Sequence, residues 1–261
     1  MSLVQQMQAA ANAKTDNKNI STVNKAKLKA VEQAPTALVV DDSTTSALRS
    51  QIMQEFDGLA IVLEADLAQL KTLSDIGDKK QYKAEAIEKN EYFGYALRYI
   101  ESGANHPNSV LAWLMIWLVD LNRWSDALAI LPTLIAQEQK LPKFFSTKNW
   151  HVFFIDYLYD AGNQELAKHE ADPKLAKLRQ IGATFSQYIA AYKDYVVDKL
   201  STENEVVAGK LFAMAGKLES PLHNYGNALD HFVLATSIND GAGVKKIGRL
   251  VAKKIGVDSP L

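Results

Sequence analysis

The sequence predicts an all-α protein, a long antiparallel helical hairpin followed by a tetratricopeptide-like helical body, with a flexible basic arm in front. Three observations carry this. Apolar residues recur at steps of three and four along most of the chain, and no useful window alternates like a strand. Gly, Pro, Asn and Asp clusters cut the periodic stretches into helix-length pieces. Two of those pieces, NRWSDALAILPTLIAQE and HNYGNALDHFVLATSIN, repeat an early Ala-Leu pair in the second helix of a pair.

Residues 1–45 are read as arm and linker. The first 34 carry Lys14, Lys18, Lys25, Lys27 and Lys29 against Asp16 and Glu32, a net +3 with few large apolar side chains, which predicts a weakly ordered basic arm. Pro35 ends any helix there, and the Ser/Thr cluster before Ser46 offers a cap for the next one.

Residues 46–103 read as the hairpin. Ile52, Phe56, Leu59, Leu63, Leu67, Leu70 and Leu73 form one stripe, and SDIGD (74–78) is the turn. Asp78 with Gln81 resembles a capping box for a single return helix, whose face holds Tyr82, Ala86, Phe93, Leu97 and Ile100. Ile61 and Val62 lie outside the main stripe. They fit either a wide core face or, with Phe56, Leu59 and Leu63, a surface for oligomerisation.

Residues 104–261 form the body. VLAWLMIWLV (110–119) is a buried helix, too short for the roughly 20 residues of a membrane span. Ser125 is read as the cap of the following helix, and Pro132 inside it predicts a kink. A helix from Ser146 is read as closed by Gly162. The next opens with Asp172 as cap and Pro173 at its first position. Helices follow in NEVVAGKLFAMAGKLES, YGNALDHFVLATSIND and GVKKIGRLVAKK.

Several chemistries find no pattern. Without cysteine there is no disulfide, thiolate metal site or cysteine nucleophile. GAGVKKIG follows a helix and lacks the spacing and hydroxyl of a phosphate loop. The five histidines make no HExxH, and His169-Glu170 reads as a helix end. His151, amid Trp150, Phe153 and Phe154, reads as a core or boundary residue. Asp41-Asp42 supplies a carboxylate pair, but a magnesium nuclease needs further carboxylates converging on it. Trp113, Trp117, Trp124, Tyr157 and Tyr159 read as core rather than a base-stacking platform. No catalytic residue, metal ligand or cofactor is predicted.

Charge is what remains. The chain nets −1, yet Lys245, Lys246, Arg249, Lys253 and Lys254 against Asp258 give the last 21 residues +4, and the stretch from 35 to 240 sums to −8. Basic ends on an acidic body fit phosphate contact through both lysine sets. They equally fit a lysine-rich helix end favoured by its dipole.

VLAWLMIWLVDLNRWSDALAILPTLIAQEQKLP (110–142) resembles the central block of the small terminase subunits of P2-like tailed phages. DKKQYKAEAIEKNEYFGYALRYIESG (78–103) is similar to the segment before that block, and Ala235, Thr236, Gly243, Val244, Lys245 and Lys246 to the family's C-terminal block. The resemblance covers roughly 45–255. It implies viral genome packaging in the host cytoplasm by a non-catalytic homo-oligomer, commonly a ring. The partners it implies are double-stranded viral DNA and a large subunit holding the ATPase and nuclease; some descriptions call the small subunit itself an endonuclease component. The relative compared has a long basic tail after the Gly-Val-Lys-Lys helix; here the sequence ends at Leu261, which shifts the expected DNA contact toward the N-terminal arm. Without the resemblance, the residues also fit a helical-repeat interaction scaffold that does not bind DNA.

Overall fold

A computed structural model describes residues 42–171 and 175–261, with side chains over 46–170 and 175–261. Among these residues every regular element is helical. The basic arm with Lys14, Lys18, Lys25, Lys27 and Lys29 lies outside the described residues, as do Asp172 and Pro173 and the side chains of Asp41 and Asp42.

The first helix, α1 (Asp42–Thr72), runs 31 residues. Its stripe turns inward as its spacing requires: Ile52, Leu63 and Leu70 are buried, while Phe56, Leu59, Leu67 and Leu73 pack partly buried against them. The return arm differs from the single helix expected. It is two helices, α2 (Ile76–Lys89) and α3 (Tyr92–Ser102), parted at Asn90 and a left-handed Glu91 (φ 51°). That break resets the helical phase. Tyr92, Tyr95, Ala96 and Tyr99 become the buried face of α3, and Leu97, expected inside, is exposed. The cap of α2 is also one turn earlier than Asp78. Asp75 accepts from the amides of Gly77 (2.6 Å) and Asp78 (3.1 Å).

A buried carboxylate fastens α1 to the return arm. Asp66 sits within the apolar stripe and accepts from Tyr82 Oη (2.8 Å), Asn90 Nδ2 (3.0 Å) and Tyr92 Oη (2.7 Å). Burial and the Asp66 carboxylate push the Tyr82 phenol up to about 12 and raise that of Tyr92 further, so both hydroxyls stay protonated donors.

Two helices are buried nearly all round, as their composition demands. The first, α4 (Ser109–Asp120), is capped by Asn108, which accepts from the Leu111 amide, and is covered by α1, α2, α3, α5 (Trp124–Ala136) and α6 (Trp150–Ala171). The second, α8 (Glu205–Glu219), is capped by Asn204 and covered by α6, α7 (Leu175–Tyr195) and α9 (Tyr225–Ile238). Between them lie α5 (Trp124–Ala136), α6 (Trp150–Ala171) and α7 (Leu175–Tyr195), the last ending in a π-helical turn at Val196–Leu200 and a short turn at Ser201–Glu203. The chain finishes with α9 (Tyr225–Ile238) and α10 (Lys245–Lys254).

Two boundaries in the body are corrected. Helix α5 begins at Trp124 behind Arg123, so Ser125 lies inside it, and α5 continues past Pro132 to Ala136. Gly162 does not close α6, which runs on to Ala171. A Cβ there would stand 2.8 Å from Met214 Cγ on α8, so the glycine serves helix–helix approach. Gly216 on α8 does the same: a Cβ would come 2.5 Å from the Phe232 ring of α9.

Buried residues from Ile52 to Ala252 form one connected core, and α1 and α3 pack on α4. No described helix is long and apolar enough to cross a membrane.

Candidate nucleic-acid interface

Helix α10 brings together the five C-terminal cations. At 100° per residue, Lys245, Lys246, Arg249, Lys253 and Lys254 fall on one half of the helix, together with Leu250. The other half holds Gly248, Val251 and Ala252, all buried, and packs on α9. The stripe spans about 14 Å at 1.5 Å per residue. The glycines before it are turn residues, with Gly243 in the left-handed region (φ 71°), where a side chain is disfavoured.

Three of the five cations already have contacts. Lys245 Nζ lies 2.5 Å from Asp240. Arg249 Nε donates to the Leu261 carbonyl (2.9 Å). Lys254 Nζ reaches Tyr225 Oη (3.3 Å) and sits 4.7 Å from that ring. Lys246 and Lys253 are exposed. The helix dipole favours cations in a last turn, which accounts for Lys253 and Lys254. It does not account for Lys245 and Lys246 in the first turn, which holds no acid of its own; Asp240, ahead of the helix, pairs with Lys245.

The residues expected to join subunits are split by burial. Leu63 is 3% exposed and belongs to the chain's own core. Phe56 packs on that core, with its ring 4.8 Å from His106, and Leu59 is likewise half-buried. Ile61 (72% exposed) and Val62 face solvent, and exposed Met53 and Leu48 lie further along α1.

His151 is buried, its Nδ1 2.7 Å from Tyr188 Oη and its ring stacked on Tyr195 at 4.0 Å. Burial, aided by the nearby Lys199 charge, lowers its pKa to about 4. Among the described residues no three His, Asp or Glu side chains gather as a metal site.

Residues 60–195, more than half of the chain, match the phage small terminase subunit family. The chain belongs to that family. No curated protein and no solved structure matches it. The match names small terminase subunits in general, without the P2-like division. In this small terminase subunit the matched region runs from mid-α1 to the end of α7, so it includes Ile61 and Val62 and leaves out α10.

Sequence reasoning passed over two features of this small terminase. Asp66 was detectable as an acid in the register of an apolar stripe. Phe144, 67% exposed at the edge of a groove, was not, because its loop carries no periodicity.

Proposed function

We propose that the chain is the DNA-recognition and adaptor subunit of a phage packaging machine. It binds double-stranded viral DNA at the packaging site as a homo-oligomer, in a ring. It presents that DNA, in the host cytoplasm, to a large terminase subunit that supplies ATP hydrolysis and cleavage. The carrying observation is the cationic face of α10 on a small terminase scaffold, above all the exposed first-turn Lys246, which the helix's own dipole does not favour. The lysines of the N-terminal arm add a second contact with the phosphate backbone. Ile61 and Val62 of α1 provide the apolar patch between subunits, and repetition around a ring multiplies weak contacts into avidity.

A second reading has its own support. Lys245, Arg249 and Lys254 are engaged within the chain, which suits a protein-interaction scaffold without DNA binding.

Light scattering with and without a duplex of packaging-site sequence, across a salt series, separates the two. The packaging reading expects a defined oligomer whose log–log salt slope is about −0.9 per phosphate contact. Deleting residues 1–34 and reversing Lys246, Arg249 and Lys253 to Glu then assigns the slope to the arm or to α10. A chain that ignores DNA at low salt leaves the scaffold reading standing.

A further inference from the structure

A groove of about 500 Å³ opens where α1, α2, α4 and the segment before α6 meet, and none of its lining belongs to α10. Its floor is apolar, with Leu70 of α1 beside Trp113 and Ile116 of α4. Phe144 stands at its edge, exposed yet in contact with two rings, its centroid 5.5 Å from that of Trp113 and 4.4 Å from that of Phe145. A lone exposed phenylalanine signifies little, but one fixed beside an apolar groove offers a partner a prepared contact.

Lysines surround this floor. Lys71 comes from α1, and Lys79 and Lys83 from α2. Asp120 lies 2.5 Å from Lys83 and neutralises it, and Lys71 and Lys79, the other lysines of the lining, have no ion pair among the described residues. That sign stands out in a stretch, 35–240, that nets −8. One donor is also unused. Trp117 lines the groove, is 1% exposed, and its indole N–H has no acceptor among the described residues.

We propose that this groove docks an acidic segment of a protein partner. An aromatic or aliphatic side chain of that segment seats against Trp113 and Phe144, and its carboxylates face Lys71 and Lys79. Resting on the packaging function above, the partner is the large terminase subunit. Charge decides against this chain's own basic arm and against α10 of a second copy, both of which would bring lysines to lysines. Single-stranded nucleic acid fits less well, because successive bases need a series of open ring faces and here only Phe144 is largely exposed.

The test combines full-length chain with purified large terminase subunit. It reads affinity and the indole N–H resonances, with Trp117 assigned through Trp117→Phe. Expected are a shifted Trp117 resonance and a loss of about tenfold or more in affinity for Lys71→Glu/Lys79→Glu and for Phe144→Ser, with duplex DNA binding unchanged. Full-strength binding by both variants with a stationary Trp117 resonance overturns the groove and leaves the packaging function intact. No binding by the wild-type chain overturns both the docking proposal and the large-subunit half of that function. A Trp117 shift produced by oligothymidylate and abolished by the lysine reversal replaces the protein partner with a nucleic acid.

Discussion

His151 shows how one buried side chain links packing to pH. Its ring is enclosed by Tyr188, Tyr192 and Tyr195, so the folded chain holds it neutral with a pKa of about 4, against 6.5 for the free group. Between those values the unfolded chain binds the extra proton, so stability is greatest above pH 6.5 and falls as pH drops toward 4. At pH 5 the loss from this group is about 2 kcal/mol. Urea unfolding of wild type and His151→Phe at pH 7.5 and pH 5 checks this. The variant is expected to lose stability at pH 7.5, where Tyr188 loses its partner, and to depend less on pH by about that amount. Equal pH dependence in the two proteins would remove His151 as the cause.

Among elements, the α1–α2–α3 unit turns on Asp66. Three neutral donors from α2, α3 and the bend between them converge on one buried carboxylate, so the bend at Asn90–Glu91 and the hydrogen bonding specify each other. Asp66→Ala strands the Tyr92 hydroxyl in the core, and a stability loss of about 3 kcal/mol is expected. Tyr92→Phe in the same background should recover part of it, because the stranded group is gone. Chemical denaturation of the single and double variants measures the coupling, and strictly additive losses would show that Asp66 does not hold this unit together. The break itself was not legible in KAEAIEKNEYFGYALRY, where apolar spacing continues across Asn90 and Glu91 and the one glycine, Gly94, lies inside α3 rather than at the bend. The left-handed Glu91 is set by what α3 must bury.

For the whole molecule, assembly is the question that α1 raises. Leu63 is committed to the chain's own core, whereas Ile61 and Val62 stand exposed on the same helix. Ile61→Glu is therefore expected to leave the monomer fold and its helical content unchanged while lowering the assembled mass seen by light scattering. An assembled mass equal to that of the wild type would place the subunit contact elsewhere.

The sequence by itself determined that the described chain is helical, where most helices lie, and that its cations gather at α10. Helix periodicity is local, and the spacing of Lys245, Lys246, Arg249, Lys253 and Lys254 puts all five on one half of a helix. It also carried the small terminase resemblance that the match over 60–195 supports. Tertiary structure alone decided which apolar residues of α1 are core and which are surface. It alone allowed α6 to continue through Gly162, where Met214 fills the space of the missing side chain. It also decided that Trp113, Phe144 and the lysines of α1 and α2 line one groove. Those residues are spread over some seventy positions, and a one-dimensional pattern does not encode which distant helix faces meet.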